Sequence, residues 1–245
     1  MSTATLVLRI DAPMQSWGLR SKFIRRDTAA EPTKSGIVGL LAAACGIRRT
    51  DTAGITTLAE LEMGVRVDRE GLVERDFHVT ENVPNTHGKN HRTVVSDRYY
   101  LADALFLVAL HGPLTTISEL DEAIRRPRWP LYFGRKAFVP ANPLLEHPSR
   151  REQHGTGVFE QPLPEVLKTH PWLENRREFR HQISRTDGNA LLRTVQDTPP
   201  CDPAAELRHD HPLSFADGDR RYASRTVVTG HVELTPAMIG DRACS

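Results

Sequence analysis

The stretch Pro32–Gly46, PTKSGIVGLLAAACG, predicts a helix soon after the first strand, and the other predicted elements are arranged around this pair. The opening Pro-Thr pair favours a helix start, the apolar run continues to about Ala44, and the closing glycine is typical of the residue after a helix. Its glycines and alanines leave this helix small on several faces, so we expect another group to approach it closely. Upstream, Thr5–Ile10 (TLVLRI) is a short apolar run that predicts a buried strand.

Downstream of this helix, apolar and alternating runs predict further elements in a regular order. These are the strands Met63–Asp68, Leu72–Thr80, Thr93–Tyr100 and Ala104–Leu110 and the amphipathic helix Thr116–Arg126. A polar segment, residues 81–92, predicts the tip of a protruding hairpin. The order is close to the βαββαβ pattern of ferredoxin-like α+β folds, which RRM-type RNA-binding proteins share.

The chain beyond residue 140 is polar and rich in proline and histidine. We assign residues 1–140 to a ferredoxin-like RNA-binding domain and residues 141–235 to a smaller, irregular β-containing part that completes it. Within that part the patterns predict a helix at 164–173 and strands near 178–185, 191–197 and 222–234. Residues 236–245 are expected to form a disordered tail.

Composition argues against several classes of protein. The chain has 245 residues, of which 39% are hydrophobic, and a formal net charge of +1. Its three cysteines stand at unrelated spacings, which argues against a disulfide framework or a zinc ribbon. No apolar stretch approaches the roughly 20 residues that span a bilayer, and the first residues lack the order of a signal peptide. We therefore expect a cytoplasmic protein without a membrane partner.

The basic residues are unevenly distributed and are dominated by arginine. Of 32 basic residues 27 are arginine, whose planar guanidinium suits phosphates and bases, although a GC-rich genome would produce the same bias. Residues 1–50 carry eight basic against three acidic residues, and residues 125–136 carry five basic residues and no acidic one. Two basic segments in a nearly neutral chain predict a basic face that binds nucleic acid.

The loop after the first strand holds the first candidate RNA contacts. Gln15 and Trp17 offer an amide and an indole for hydrogen bonding and stacking with an unpaired base, while Trp17 as a plug of the core is an equal alternative. The polar segment that follows has no apolar face. We therefore expect phosphate contacts from Arg20, Arg25, Arg26 and Thr28.

The start of the predicted helix is a second candidate. Thr33, Lys34 and Ser35 lie where free amide groups and the helix dipole favour an anion. An ordinary helix cap has the same composition and is the alternative. The segment lacks the spacing of a nucleotide-hydrolysing phosphate loop, so we do not expect that activity.

Two basic loops complete the candidate RNA site. Gly134, Arg135 and Lys136 follow two aromatic residues, which predicts a loop that contacts phosphates and stacks on bases. A basic turn that covers the preceding helix is the alternative. At the hairpin tip we assign RNA contacts to Lys89, His91 and Arg92.

No metal, cofactor or catalytic residue is predicted. His87 and His91 have a metal-ligand spacing, but no carboxylate or cysteine stands nearby in sequence. The residues form no specific pattern for nucleophilic catalysis. A metal-independent ribonuclease needs only one side chain placed as general base on a 2′-hydroxyl, and His78, His91 and Tyr99 stay open for that role.

Taken together, the motifs resemble the CasD family, whose members hold the 5′ handle of the guide RNA (crRNA) in the type I-E CRISPR surveillance complex, Cascade. In chain order these motifs are LRIDAPMQSWG (8–18), RRDT (25–28), PTKSGIVGLLAAACGI (32–47), ERDFHV (74–79), DRYYLADALFLVAL (97–110), RPRWPLYFGRKAF (126–138) and RYASR (221–225). The family belongs to the RAMP superfamily of modified RRM proteins. The resemblance implies a ferredoxin-like domain with a long β-hairpin thumb, here about residues 72–103, and a reduced C-terminal part.

The resemblance also implies a function. We expect a non-catalytic subunit that holds the crRNA handle, caps the backbone assembly, and contacts a backbone subunit and the large subunit. Target DNA would be met only through the complex. Relatives in another subtype cut RNA, so the alternative is a metal-independent endoribonuclease that processes CRISPR precursor RNA. A structural adaptor whose basic segments meet acidic protein surfaces is a third hypothesis.

Overall fold

Two β-sheets and several helices form the structure, a computed structural model that describes residues 2–19, 24–89, 91–147, 155–180 and 190–240. The strands are β1 (Thr3–Asp11), β2 (Met14–Gln15), β3 (Arg25–Arg26), β4 (Glu62–Arg69), β5 (Leu72–Val83), β6 (Arg92–Ala102), β7 (Leu105–Pro113), β8 (Gly157–Phe159), β9 (Leu191–Asp197), β10 (Glu206–Ala216) and β11 (Asp219–Glu233). The helices are α1 (Lys34–Cys45), α2 (Thr52–Ala59), α3 (Leu114–Arg125), α4 (Leu163–Thr169) and the single turn α5 (Pro236–Ile239).

The central sheet has seven strands in the order β10-β11-β9-β4-β7-β1-β8, and all neighbours are antiparallel. Its β8-β1-β7-β4 half has the strand order of a ferredoxin-like fold, with α1 and α3 in the two connections between strands. Strands β9 to β11 extend this half beyond β4. The α+β, ferredoxin-like prediction is confirmed.

Both faces of the central sheet are covered by the chain itself. Along β1 and β7 successive side chains alternate, so Leu8 and Phe106 pack under α1 to α3, whereas Val7 and Leu107 pack against Leu163 of α4. RRM-type proteins expose this second face to RNA. Because α4 occupies it here, the candidate RNA surface must lie on loops and on the second sheet.

The second sheet is built on the hairpin β5–β6, which we call the thumb and which leaves the central sheet between β4 and β7. Strands β2 and β3 pair with the edge of β6 that is not occupied by β5. The base of the hairpin is fixed because Arg69 Nε donates to the carbonyl of Asp103 at 2.6 Å. This arrangement brings the first loop of the chain, which contains β2 and β3, to the base of the thumb.

Two C-terminal predictions differ from the structure, and one C-terminal strand was not predicted. Residues 177–180 are helical where a strand near 178–185 was predicted, and residues 181–189 lie outside the described ranges. Strand β10 was not predicted, because two bulges and Pro212 interrupt its alternation. Residues 236–239, expected within a disordered tail, form a helical turn that buries Met238, while residues 241–245 are outside the described part. None of the described helices is long and apolar enough to cross a membrane.

Candidate nucleic-acid interface

The two basic segments of the sequence meet at the base of the thumb. Strand β3 runs parallel to β6, with Arg25 beside Asp97 and Arg26 beside Arg98. From the other segment, Arg135 Nη2 donates a 2.7 Å hydrogen bond to the carbonyl oxygen of Tyr99. Arg25 and Arg135, which are about 110 positions apart in the chain, thus both contact the short stretch 97–99 of β6.

Three guanidinium groups share one side of this base. Arg26 and Arg98 are register partners, so their side chains point to the same face of the sheet. Arg98 also lies close enough to Arg135 to lower its pKa. We call Arg26, Arg98 and Arg135 the arginine face; Asp76, opposite Arg98 on β5, is the carboxylate nearest to it in register.

Like charges on adjacent strands repel, and the described residues neutralise the arginine face only in part. Burial is the main cause that lowers the pKa of Arg135, and the charge of Arg98 adds to it. Within the described ranges no carboxylate forms an ion pair with Arg26 or Arg98. A bound anion would relieve this repulsion, which makes the face suitable for a phosphate.

Arg25 lies on the other face of the same strand pair. Its guanidinium is 5.1 Å from the centre of the Tyr99 ring, and it forms an exposed ion pair with Asp27 at 2.8 Å. The Asp27 carboxylate raises the pKa of Arg25 by hydrogen bonding and by its charge. Exposed pairs of this kind contribute little to stability, so the contact with Asp27 can be exchanged for a phosphate at low cost.

Gly134 permits a close approach to the chain's own backbone. Its φ is +90°, and a Cβ at this position would lie 1.9 Å from the carbonyl oxygen of Ser16. The amide of Ser16 donates to the carbonyl of Phe133, which joins the loop at residue 134 to the first loop. The glycine therefore packs against the first loop, and because it is also exposed its assignment as an RNA contact stays a prediction. Lys136 is exposed.

Gln15 and Trp17 are buried, which corrects their assignment as base-contacting residues. Trp17 is 1% exposed, and its ring packs against Phe133 with the centroids 5.8 Å apart. Gln15 accepts a hydrogen bond from the Trp17 indole and donates one to the carbonyl of Ala104. A Cβ on Gly36 would lie 2.8 Å from the Trp17 ring, so this ring is one group that approaches the small helix α1.

The N-terminus of α1 is already occupied by a carboxylate of the same chain. The backbone amide of Lys34 donates to Asp210 at 2.8 Å, and Lys34 Nζ forms an ion pair with Asp197 at 2.8 Å. Arg225 bridges Asp197 and Asp210, so the four side chains form a nearly buried network between α1 and the strands β9 to β11. The predicted anion site exists, but its anion is Asp210, and the assignment of Lys34 to RNA is corrected.

The other members of the predicted helix-start site have local roles. Thr33 is the N-cap, and its hydroxyl accepts from the amide of Gly36 at 3.2 Å. Ser35 is half-buried and lines a cleft beside α1. Thr28 is half-buried and accepts a hydrogen bond from the backbone amide of Trp17 at 2.9 Å, which holds the first loop closed. These contacts support an ordinary cap and a closed loop.

The remaining candidates are far from the arginine face or outside the described part. Lys89, His91 and Arg92 are exposed at the tip of the thumb. Arg92 stands seven residues before Tyr99 on β6, a distance of roughly 24 Å at about 3.4 Å per residue. Arg20 lies outside the described residues.

The general-base candidates of the ribonuclease alternative are not brought together. His78 pairs with Ser96 and Tyr99 with Arg75, which sets His78 and Tyr99 on opposite faces of the thumb. His91 is at the tip, where its ring nitrogen contacts the carbonyl of Asn82 at 3.1 Å. His78 thus shares a face of the thumb with Arg98, whereas Tyr99 shares the opposite face with Arg25.

Comparisons with known proteins agree with this architecture. A model of the family described as CRISPR-associated protein (Cas_Cas5) matches residues 5–228. The CRISPR system Cascade subunit CasD of Escherichia coli (strain K12) is 37% identical over 155 residues, which cover 57% of this chain and 69% of that protein.

Two solved structures have the same fold over nearly the whole chain. One, a CRISPR RNA-guided surveillance complex, contains a chain with 32% identity and a TM-score of 0.75, and the match covers 96% of this chain and 92% of that one. The other, a crystal structure of a Cas protein, has 35% identity and a TM-score of 0.68, with 94% and 95% covered. With the family match over residues 5–228, these similarities show that the chain belongs to the CRISPR-associated Cas5 family.

Proposed function

We propose that this protein is an RNA-binding subunit of a CRISPR surveillance complex, in which it holds the 5′ handle of the crRNA without cutting it. The names of two similar proteins, a Cascade subunit and a chain of an RNA-guided surveillance complex, support the assembly. The observation that carries the RNA contact is the arginine face, where Arg26, Arg98 and Arg135 concentrate positive charge on one side of the thumb base.

RNA phosphates would bind this face because they offset the repulsion among its guanidinium groups. Arg26 and Arg98 are the adjustable contacts, since neither has a carboxylate partner among the described residues. Arg135 is fixed by its bond to the Tyr99 carbonyl and would present its charge at a constant position. Bound cations of this kind release counterions from RNA, so binding should weaken as salt increases.

The thumb is suited to contact neighbouring subunits. One of its faces carries exposed apolar residues, among them Phe77, Val79 and Val95, which are 64%, 43% and 52% exposed. An extended apolar surface of this kind is typical of protein contacts. We assign this face and the basic tip to the adjacent backbone subunit, with the chain capping the backbone beside the large subunit and meeting target DNA only through the complex.

A non-catalytic role is supported by the positions of the candidate bases. His78 and Tyr99 face opposite sides of the thumb, and His91 is exposed at its tip. His78 is on the same side of the thumb as the arginine face, two residues beyond Asp76 on β5 and paired with Ser96. The three side chains that define the arginine face are guanidinium groups, which remain protonated and cannot accept a proton from a 2′-hydroxyl. We therefore assign the site to binding.

Binding of handle RNA to a double variant tests this proposal. Arg26→Ala with Arg98→Ala should weaken binding of the crRNA handle on the order of tenfold to a hundredfold, because two phosphate contacts are lost. The matched control is Arg126→Ala with Lys168→Ala. It removes the same charge from two exposed side chains, Arg126 at the end of α3 and Lys168 on α4. Equal affinities of the two double variants would overturn the proposal. So would a discrete cut in labelled repeat RNA incubated with the wild-type chain in EDTA.

A further inference from the structure

A cleft of about 650 Å³ lies beside α1, and none of the three arginines of the arginine face lines it. It is bounded by α1, by the loop at residues 129–136 and by the β10–β11 hairpin. This volume is within the range of about 300 to 1,000 Å³ that is common for small-molecule sites. Its floor is the small-residue side of α1: a Cβ on Gly39 would meet only Phe215, at 3.9 Å.

The walls of the cleft are aromatic. Trp129, Tyr132, Phe215 and Tyr222 line it, and the Phe215 and Tyr222 rings lie 6.4 Å apart at an interplanar angle of 57°. Trp129 and Tyr222 are both more than a third exposed, although large aromatic side chains are usually covered. Exposed rings around a flat, open floor form a surface on which a planar group can stack.

The charge of the cleft favours an anion. Arg49, Lys136 and Arg220 line it, and no acidic side chain does so within the described residues. Arg49 and Arg220 share a single highly exposed carboxylate, Asp217, at 3.9 and 3.6 Å. Three cations against one exposed carboxylate leave a positive rim around the aromatic walls.

We propose that this cleft binds one unpaired nucleotide of the guide RNA, with its base among the aromatic rings and its phosphate at Lys136 and Arg220. The inference rests on the proposed function and adds a second contact to it. Aromatic walls with a positive rim suit a nucleotide because its base is planar and its phosphate is anionic. An apolar peptide from a partner subunit would use the walls and leave the rim cations without a counter-charge.

Fluorescence of 2-aminopurine tests the cleft directly. The full chain is mixed with handle RNA that carries 2-aminopurine at one position in turn, since stacking on an aromatic ring quenches this base. We expect one position to be quenched by the wild-type protein. Tyr222→Ala should remove the quenching and weaken binding about fivefold to a hundredfold, whereas Tyr222→Phe retains the ring and should retain both. Gly39→Leu, which fills the floor, should act like Tyr222→Ala.

The outcomes separate this inference from the proposed function. If the wild-type chain binds RNA and no position is quenched, or if Tyr222→Ala leaves the quenching unchanged, the cleft does not hold a base. Loss of subunit assembly by Gly39→Leu with unchanged fluorescence would assign the cleft to a peptide and also overturn the inference.

The Arg26→Ala, Arg98→Ala variant should lower overall affinity and still show the quenched position at saturating protein. Failure of the wild type to bind RNA would overturn both proposals. The Tyr222→Ala and Tyr222→Phe pair decides the test if Gly39→Leu does not fold.

Discussion

The guanidinium of Arg135 donates a 2.7 Å hydrogen bond to the carbonyl oxygen of Tyr99, and this bond ties the loop at residue 134 to the thumb. The same guanidinium lies 5.1 Å from the centre of the Phe138 ring. Arg135 therefore contributes to the structure and to the positive charge of the arginine face. The side chain of Arg26 is exposed on β3, the strand beside β6, and contributes only its charge to the arginine face.

Substitution should separate these two roles. Arg135→Ala is expected to lower the free energy of unfolding by about 1 to 3 kcal/mol, because a hydrogen bond from a charged group and a cation–π contact are lost. Arg26→Ala should change it by less than about 0.5 kcal/mol, as is usual for an exposed side chain. Urea denaturation of both variants measures the difference. Equal unfolding free energies would contradict the structural role of Arg135.

Gly134 should tolerate no side chain. Gly134→Ala is expected to lower the free energy of unfolding by about 2 to 4 kcal/mol, because the new Cβ would meet the Ser16 carbonyl and the backbone stays in the left-handed region. Gly88→Ala is the matched control: its φ is +70°, but nothing lies within 4 Å of the new Cβ. The control should cost about 1 kcal/mol, and thermal denaturation compares the two. A Gly134→Ala protein as stable as the Gly88→Ala protein would show that the approach to Ser16 can relax.

Trp17 should behave as a core residue. Trp17→Ala is expected to lower the free energy of unfolding by about 3 to 5 kcal/mol, because it leaves a cavity between Phe133 and α1. Trp129→Ala should cost much less, since the Trp129 ring is 38% exposed. Denaturant unfolding measures both. A Trp17→Ala protein of normal stability but weakened RNA binding would restore the base-stacking interpretation.

The network at the start of α1 should give stability that depends on pH. Burial by itself would raise the pKa of Asp210, but hydrogen bonds and charge from Arg225 and Lys34 outweigh it, and the net shift is downward. A carboxylate with a lowered folded-state pKa stabilises the protein above its unfolded pKa of about 3.9, and this contribution is lost as pH falls through the folded value.

Asp210→Asn should therefore reduce the free energy of unfolding by about 3 kcal/mol at neutral pH, because it removes one of the two carboxylates that neutralise Arg225 and Lys34 and leaves Asp197 alone to do so. The difference from the wild type should be constant between about pH 6 and 8 and should shrink below about pH 4. Chemical denaturation across this range measures it. A difference that grows on acidification would contradict the assigned direction of the pKa shift.

The main elements of the fold could be predicted because their patterns are local. Helix α1 begins and ends at residues with ordinary capping chemistry, Thr33 and Gly46, and the strands of the thumb are long runs that contain many β-branched and aromatic residues. Strand β10 could not be predicted, because bulges and a proline interrupt its period. Its place at the sheet edge depends on β11, which follows it in the chain and pairs with β9.

The site could be predicted only in part because its partners are distant in sequence. The start of α1 has the composition of an anion site, and its anion, Asp210, stands 176 residues away. Trp17 is a core residue because it packs against Phe133 and Gly36, neither of which is its neighbour in sequence. The sequence does not single out Arg98, because Asp97 beside it balances its charge along the chain. Alternation along β6 sends these neighbours to opposite faces, which a net-charge count along the chain does not detect.

The salt dependence of handle binding reports how many phosphates the arginine face neutralises. We expect the slope of log affinity against log salt concentration to fall by about 1.4 when Arg26 and Arg98 are both changed to alanine, at about 0.7 for each lost phosphate contact with a single strand. The Arg126→Ala, Lys168→Ala control should keep the wild-type slope. A slope that is the same for all three proteins would contradict the claim that the base of the thumb binds the phosphates of the guide RNA.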